Sequence, residues 1–221
     1  MPLQLPKLIA TSVVRGSEQG ESHGGVYTID FQTQTSEQHI DWNSSDIDWE
    51  GRGADRGLRG IAFDGDDIYI AASDELFCFN RDFNLQHSRR NRYLKHCHEI
   101  CRMGRKLLLT STGQDSLLAY DLDEKAFTWG FHLQKIADKW SGFTFDPCRR
   151  SGPGRHNEHH ITMLHVDSNG IFLSGLRTNA LLHLTHDHEV QVVCSLPAGT
   201  HNARPYRDGV IFNDTASDHV R

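Results

Sequence analysis

Four residues that can bind metals or anions recur at nearly the same place in this sequence. Arg59, His98 and His201 each lie nine residues before an apolar, strand-like segment, and His159 lies twelve residues before one. Neutral imidazole is a common ligand for Fe, Zn and Mn ions, whereas a guanidinium group suits carboxylates and phosphates. If the fold brings these positions together, the sequence predicts a divalent metal held by His98, His159 and His201, with Arg59 binding an anionic ligand beside it.

Three aspartates belong to the same pattern, because each lies in or beside the short polar loop that follows an apolar segment. They are Asp74, Asp115 and Asp214. Carboxylates behind imidazoles can fix their tautomers. We therefore predict these aspartates, together with Arg59, as ligand-binding residues. The alternative is a structural role, in which the repeated polar side chains only satisfy hydrogen bonds between neighbouring units.

The elements that must position these residues form a repeat. Each unit has a short alternating strand, a turn rich in Gly, Asp or Asn, a more apolar strand, a small polar loop and another strand, and the turns are typical of hairpins. Four clear copies begin at Leu58, Cys97, Glu158 and Thr200. A partial copy from Lys7 matches only the second to fourth strands, since its "LIATS" resembles "LLLTS" and "IYIAAS" of the later units.

A four-stranded unit of about forty residues predicts an all-β fold of the β-propeller class. We expect one domain over residues 1–221, with about five blades at approximately 7–43, 57–90, 96–133, 157–195 and 200–221, the first and last incomplete. An irregular β-sandwich is the competing fold. Only FHLQKIADKW, residues 131–140, shows helical periodicity, and the pattern does not decide between helix and strand there. The incomplete terminal units favour a fragment of a six- or seven-bladed ring over an irregular closure.

The repeat resembles the propellers of the NHL, SMP-30/gluconolactonase-like and quinoprotein-like superfamily over nearly the whole chain. The resemblance rests on the repeat pattern, because the chain has neither a series of WD dipeptides nor a series of Gly-Gly pairs. The calcium ligands of the gluconolactonase-like enzymes have no matching residues, so their activity is not implied. The predicted histidine site is similar in plan to the carotenoid-cleaving oxygenases and to metal-using propeller lyases.

Two classes of function follow from this site. One is a small-ligand or metal-binding propeller, including a metal-dependent enzyme of hydrolase, lyase or oxygenase type. The other is a non-catalytic scaffold that binds a protein or a glycan. A tight cluster of His98, His159 and His201 around one void would favour the first class. Histidines that turn into hydrogen bonds between blades, with an exposed apolar patch elsewhere, would favour the second.

The composition narrows the classes of binding partner that we expect. The formal charge of −6 gives no support for nucleic-acid binding. No apolar run approaches the roughly 18 residues that a membrane span needs, so no membrane partner is expected. Five cysteines, an odd number, suggest reduced thiols in a cytoplasmic protein rather than a disulfide framework. The expected partner is therefore a small molecule or another protein.

Overall fold

The chain forms a ring of five small antiparallel sheets in a computed structural model, which describes residues 5–18, 20–43 and 57–221. In each sheet, strands that are neighbours in sequence are also neighbours in hydrogen bonding. Each sheet is therefore a simple meander, which is the blade of a β-propeller. The predicted all-β propeller is confirmed, and the sandwich alternative does not describe the chain.

The blades contain three to five strands each. The first blade consists of β1 (Leu8–Thr11), β2 (Gly25–Asp30) and β3 (Thr35–Asp41). The second consists of β4 (Leu58–Asp64), β5 (Asp67–Ala72), β6 (Glu75–Phe79) and β7 (Leu85–Arg90). The third consists of β8 (Ile100–Met103), β9 (Lys106–Ser111), β10 (Ser116–Asp121), β11 (Ala126–Ile136) and β12 (Lys139–Phe145).

The fourth blade consists of β13 (Ile161–Asp167), β14 (Gly170–Gly175), β15 (Ala180–Leu184) and β16 (Val190–Ser195). The fifth consists of β17 (Thr200–Tyr206), β18 (Gly209–Asp214) and β19 (His219–Val220). Among the described residues, the first and last blades thus have three strands each, which agrees with the expectation that they are incomplete. A short 3-10 helix, Thr112–Gln114, follows β9.

The hydrophobic core lies between blades, because the second strands of the second, third and fourth blades, β5, β9 and β14, are buried on both faces. In β5, Ile68 and Ile70 pack toward Val26 of the first blade, whereas Tyr69 packs toward Leu107 of the third blade. Side chains alternate across a strand, so a continuous apolar run serves both neighbours at once. Burial of a side chain such as Ile70 contributes about 1.5–3 kcal/mol. The runs that revealed the repeat are therefore the residues that hold the blades together.

The third blade departs from the predicted boundary at residue 133. Its fourth strand, β11, continues to Ile136 and turns back into a fifth strand, β12. The two turn residues, Ala137 and Asp138, both have positive φ angles of 46° and 65°. Such angles are typical of the tight turn of a β-hairpin. The segment 131–140, which the sequence left open, is therefore a hairpin and not a helix.

All five cysteines are free thiols, in agreement with the expectation that they form no disulfide framework. Cys78 and Cys97 are buried in the core between the second and third blades. Burial raises the pKa of the Cys97 thiol to about 12, so it is an inert packing residue. Within the described ranges, no helix has the length and apolar character needed to cross a bilayer.

Candidate ligand-binding site

The first hairpin has the same length in blades two to five, and this decides which residues are equivalent. The strands on either side of each turn are paired as Asp64↔Asp67, Met103↔Lys106, Asp167↔Gly170 and Tyr206↔Gly209. Each turn therefore contains two residues, and counting nine residues back from Ile171 leads to Thr162. The expectation of a hairpin three residues longer in the fourth blade, with His159 at the repeat position, is wrong.

The four side chains at the nine-residue offset, Arg59, His98, Thr162 and His201, line one cavity of about 800 Å³. Since its wall takes residues from all five blades, the cavity lies at the mouth of the central channel. Proteins typically bind small ligands in cavities of about 300–1,000 Å³. We call it the axial cavity. Its other polar lining residues include Thr11, Arg15, His96, Glu99, Asn157, His160 and Asn202.

The end of β9 positions His98. The hydroxyl oxygen of Thr110 accepts the backbone N–H groups of His98 and Glu99, each at 3.0 Å. The imidazole Nδ1 of His98 lies 2.7 Å from the carbonyl oxygen of His96. A carbonyl can only accept, so the proton is on Nδ1 and the Nε2 atom keeps its lone pair. Burial and the nearby Arg59 guanidinium lower the pKa of His98 to about 3, so its ring is neutral at physiological pH.

Two further histidines of the cavity wall are also held neutral. The Nδ1 atom of His160 lies 3.1 Å from the side-chain oxygen of Asn157, and its ring lies 5.7 Å from that of His98. Burial, and then the charge of Arg177, lower the pKa of His160. Burial, followed by Arg15, lowers the pKa of His201. The cavity thus offers several uncharged imidazoles that can donate or accept hydrogen bonds.

The charged groups of the wall give the axial cavity a positive balance. Among the lining residues that the structure describes, the arginines are Arg15, from the loop between β1 and β2, and Arg59, on β4, and the carboxylate is Glu99. The chain as a whole carries a formal charge of −6. The cavity therefore has the opposite sign from the molecule that contains it, and an anion is the ligand that this wall attracts.

His159 lies outside the lining of the axial cavity. It is buried, and its ring packs edge-on against Trp140 of the third blade with ring centroids 4.7 Å apart. Its backbone N–H donates to the Asp115 carboxylate at 3.0 Å. It therefore serves the contact between the third and fourth blades. The neighbouring His160, which the sequence analysis did not select, takes a place in the cavity wall instead.

The three predicted aspartates also lie outside the lining. Asp115 is fully buried and accepts the backbone N–H groups of three consecutive residues, 158 to 160, at 2.6, 3.0 and 2.9 Å. A carboxylate oxygen of Asp74 lies 3.6 Å from the Nζ atom of Lys95, and one of Asp214 lies 3.0 Å from the Nε atom of Arg221. These contacts support the scaffold around the cavity, and a ligand-binding role for the three aspartates stays a prediction.

The arrangement does not gather the three histidines predicted to bind a metal. Only His98 and His201 belong to the cavity wall. Among residues 5–18, 20–43 and 57–221, no three His, Cys, Asp or Glu side chains are close enough together to hold a metal ion. A metal at His98, His159 and His201 stays a prediction, and the side chains that do converge suit an anion better.

Comparisons with known proteins agree with the fold. No protein-family model matches the chain, and no curated protein matches it. A Bacteroides caccae protein of unknown function superposes with a TM-score of 0.60 at 9% identity, over 98% of this chain and 72% of that one. Streptogramin B lyase superposes with a TM-score of 0.54 at 10% identity, over 97% of this chain and 72% of that one. The RRP9 WD40 repeats superpose with a TM-score of 0.51 at 8% identity, over 86% of this chain and 68% of that one. Such low identities show a shared fold alone, and the chain is a five-bladed β-propeller.

Proposed function

We propose that the axial cavity binds a small anionic molecule, a carboxylate or a phosphate ester, and that Arg59 is its main binding residue. The observation that carries this proposal is the positive balance of the wall, with Arg15 and Arg59 against Glu99, in a chain of charge −6. A guanidinium group binds carboxylates and phosphates through paired, charge-assisted hydrogen bonds. Arg59 also occupies the repeat position, so it faces the same space as His98 and His201.

The neutral imidazoles support the same proposal. An anion bound beside His98, His160 and His201 would favour their protonated forms, which donate hydrogen bonds, and so would oppose the desolvation that lowers their pKa. The bare Nε2 of His98 could then take a proton from a bound ligand as a general base. An enzymatic role of hydrolase or lyase type would use His98 in this way, and streptogramin B lyase is an example of an enzyme on this fold.

The test measures binding of inorganic phosphate and citrate by isothermal titration calorimetry. Arg59→Gln is compared with Arg81→Gln, a matched control in the same blade. The side chain of Arg81 is 75% exposed and pairs with Asp66 on the surface. A charge-assisted hydrogen bond contributes about 1.5–3 kcal/mol. Its loss in Arg59→Gln should weaken binding by roughly tenfold or more relative to the parent chain. Arg81→Gln should bind as the parent chain does.

The outcome that would contradict the proposal is an equal loss in both variants, or a parent chain that binds neither phosphate nor citrate. Arg59→Lys separates charge from geometry, because it keeps the positive charge and loses the paired hydrogen bonds. Partial binding by Arg59→Lys is expected. The unfolding midpoint of each variant shows whether the fold is intact.

A scaffold function has its own support, on a different surface. The outermost strands of the third and fourth blades, β12 and β16, contact each other and carry exposed apolar side chains, including Phe143 and Val192. Exposed apolar groups on neighbouring strands are a feature of protein-binding surfaces. The two functions can be separated, because Phe143→Ser with Val192→Ser would weaken association with a protein and leave phosphate binding unchanged.

A further inference from the structure

Glu99 has an unusual position in the channel. It directly precedes β8, the first strand of the third blade. It belongs to the wall of the axial cavity and also to that of a second cavity of about 500 Å³. The second cavity is lined by Cys101, His165, Asn202 and Arg204, among others. Asn202 is likewise common to both cavities. Glu99 and Asn202 therefore mark the place where the two spaces meet along the axis.

The carboxylate of Glu99 accepts one hydrogen bond from the described part of the protein. One oxygen accepts the backbone N–H of Ile100 at 3.1 Å. Within the described part of the chain, no Lys or Arg nitrogen lies within 4.0 Å of either carboxylate oxygen, and the other oxygen accepts no hydrogen bond. Burial raises the pKa of Glu99, with the Ile100 N–H and the more distant Arg204 opposing it. A half-buried carboxylate without a close cation is a place where a ligand cation gains a strong partner.

The backbone holds this carboxylate in place. The N–H of Glu99 donates to the hydroxyl of Thr110 at 3.0 Å, in the same pair of bonds that fixes His98. The main chain at Glu99 and His98 is therefore held by Thr110, and the Ile100 N–H holds one oxygen of the carboxylate. The guanidinium of Arg59 comes from a different blade and belongs to the same wall. A ligand in the axial cavity can thus meet a fixed anion and a cation at two separate points.

We propose that the ligand of the axial cavity carries an ammonium group as well as its anionic group, and that Glu99 selects it by pairing with the ammonium. This inference rests on the proposed anion site. The chemistry is that of a zwitterion, in which Arg59 binds the anionic end. Two sources have this chemistry, an amino acid, with a carboxylate, and an amino-sugar phosphate, with a phosphate ester.

Two matched pairs of ligands test the inference and distinguish the sources. The first pair is glutamate and glutarate, and the second is glucosamine 6-phosphate and glucose 6-phosphate. In each pair the members differ only at the ammonium group. We expect the amine-bearing member of at least one pair to bind the parent chain about tenfold tighter or more, because close charge pairs couple strongly. The pair with the larger ratio identifies the source.

Glu99→Gln should reduce that ratio to about one without weakening the amine-free member. The matched control is Glu124→Gln, an exposed glutamate in the turn between β10 and β11, which should keep the ratio. If the parent binds both members of each pair equally, or if Glu99→Gln keeps the preference, the inference is wrong and the anion site stands. If neither phosphate nor any of the four ligands binds, the anion site fails as well.

Discussion

His98 is joined to the next blade through Thr112. The Nδ1 atom of His98 lies 2.8 Å from the hydroxyl oxygen of Thr112, and that hydroxyl donates in turn to the carbonyl oxygen of Ile161. The Thr112 hydroxyl thus accepts a hydrogen bond from the imidazole of His98 and donates one to the fourth blade. Since this arrangement needs the proton on Nδ1, it fixes the same tautomer that the His96 carbonyl requires. A contact between blades therefore sets the chemistry of a cavity residue.

Replacing Thr112 with Val should destabilise the protein by about 1–3 kcal/mol, because it removes the hydroxyl that donates to the Ile161 carbonyl and one of the two acceptors of the His98 N–H. Urea unfolding measures the change. Thr33→Val is the control, since Thr33 is exposed in the turn between β2 and β3, and it should change stability by less than about 0.5 kcal/mol. Nitrogen-15 NMR should show His98 still protonated at Nδ1 in Thr112→Val, because the His96 carbonyl remains as an acceptor. Equal losses in the two variants would refute the link.

The neutral histidines of the cavity predict a pH dependence of stability. The pKa of His98, His160 and His201 is lowered in the folded chain, mainly by burial, whereas the unfolded chain titrates near 6.5. Below about pH 6.5 the unfolded state therefore binds more protons than the folded state, so the free energy of unfolding decreases as the pH falls. This loss continues toward about pH 3 for His98, and stability is full above about pH 7.

Urea unfolding between about pH 5 and pH 8 isolates this effect, because carboxylates stay ionised there. The variant His98→Gln should have a shallower pH dependence than the parent chain. His186→Gln, at an exposed histidine in the turn between β15 and β16, should keep the parent slope. A parent chain whose stability is flat over this range would show that the cavity histidines are not held neutral.

The repeat could be predicted from the sequence because its strands follow simple rules. Segments such as residues 68–72 and 107–109 are apolar on both faces, and such runs are required wherever a strand packs between two other sheets. His98, Arg59 and His201 were found by the same register. The prediction for His159 fails at this register because it requires a longer hairpin between β13 and β14. The equal two-residue turns lead to Thr162 instead.

The remaining cavity residues could not be predicted from the repeat. Arg15, Asn157 and His160 lie in connections outside the regular strands. Loops of this kind differ in length and path from blade to blade, so no common offset links them to the strands. His160 also has a positive φ angle of 53°, which turns the chain just before β13. Such a local conformation follows from its bond to Asp115, a partner forty-five residues away.

Asp115 should be one of the most sensitive positions in the scaffold. It accepts three backbone N–H groups from the segment that leads into the fourth blade. Asp115→Asn keeps the shape but replaces an accepting oxygen by a donor, so we expect a loss of at least about 2 kcal/mol. Hydrogen exchange should accelerate at amides 158 to 160. The control is Asp138→Asn, since Asp138 also has a positive φ angle but its side chain is 97% exposed. Unchanged exchange in Asp115→Asn would remove its assigned role.

Gly142 provides a test of the hairpin that the sequence left open. It lies in β12 opposite Leu133, and a Cβ atom there would overlap the buried ring of Phe131 and the carbonyl oxygen of His132. Gly142→Ala should therefore destabilise the protein by about 1–3 kcal/mol through overpacking. If residues 131–140 were helical, Gly142 would lie beyond the helix and would not pair with Leu133. The same change would then have little effect, so a clear loss of stability supports the hairpin. Gly154→Ala is the control, because open space surrounds that position, and it should be neutral or slightly stabilising. Thermal unfolding of both variants gives the answer, and a more stable Gly142→Ala protein would contradict the hairpin.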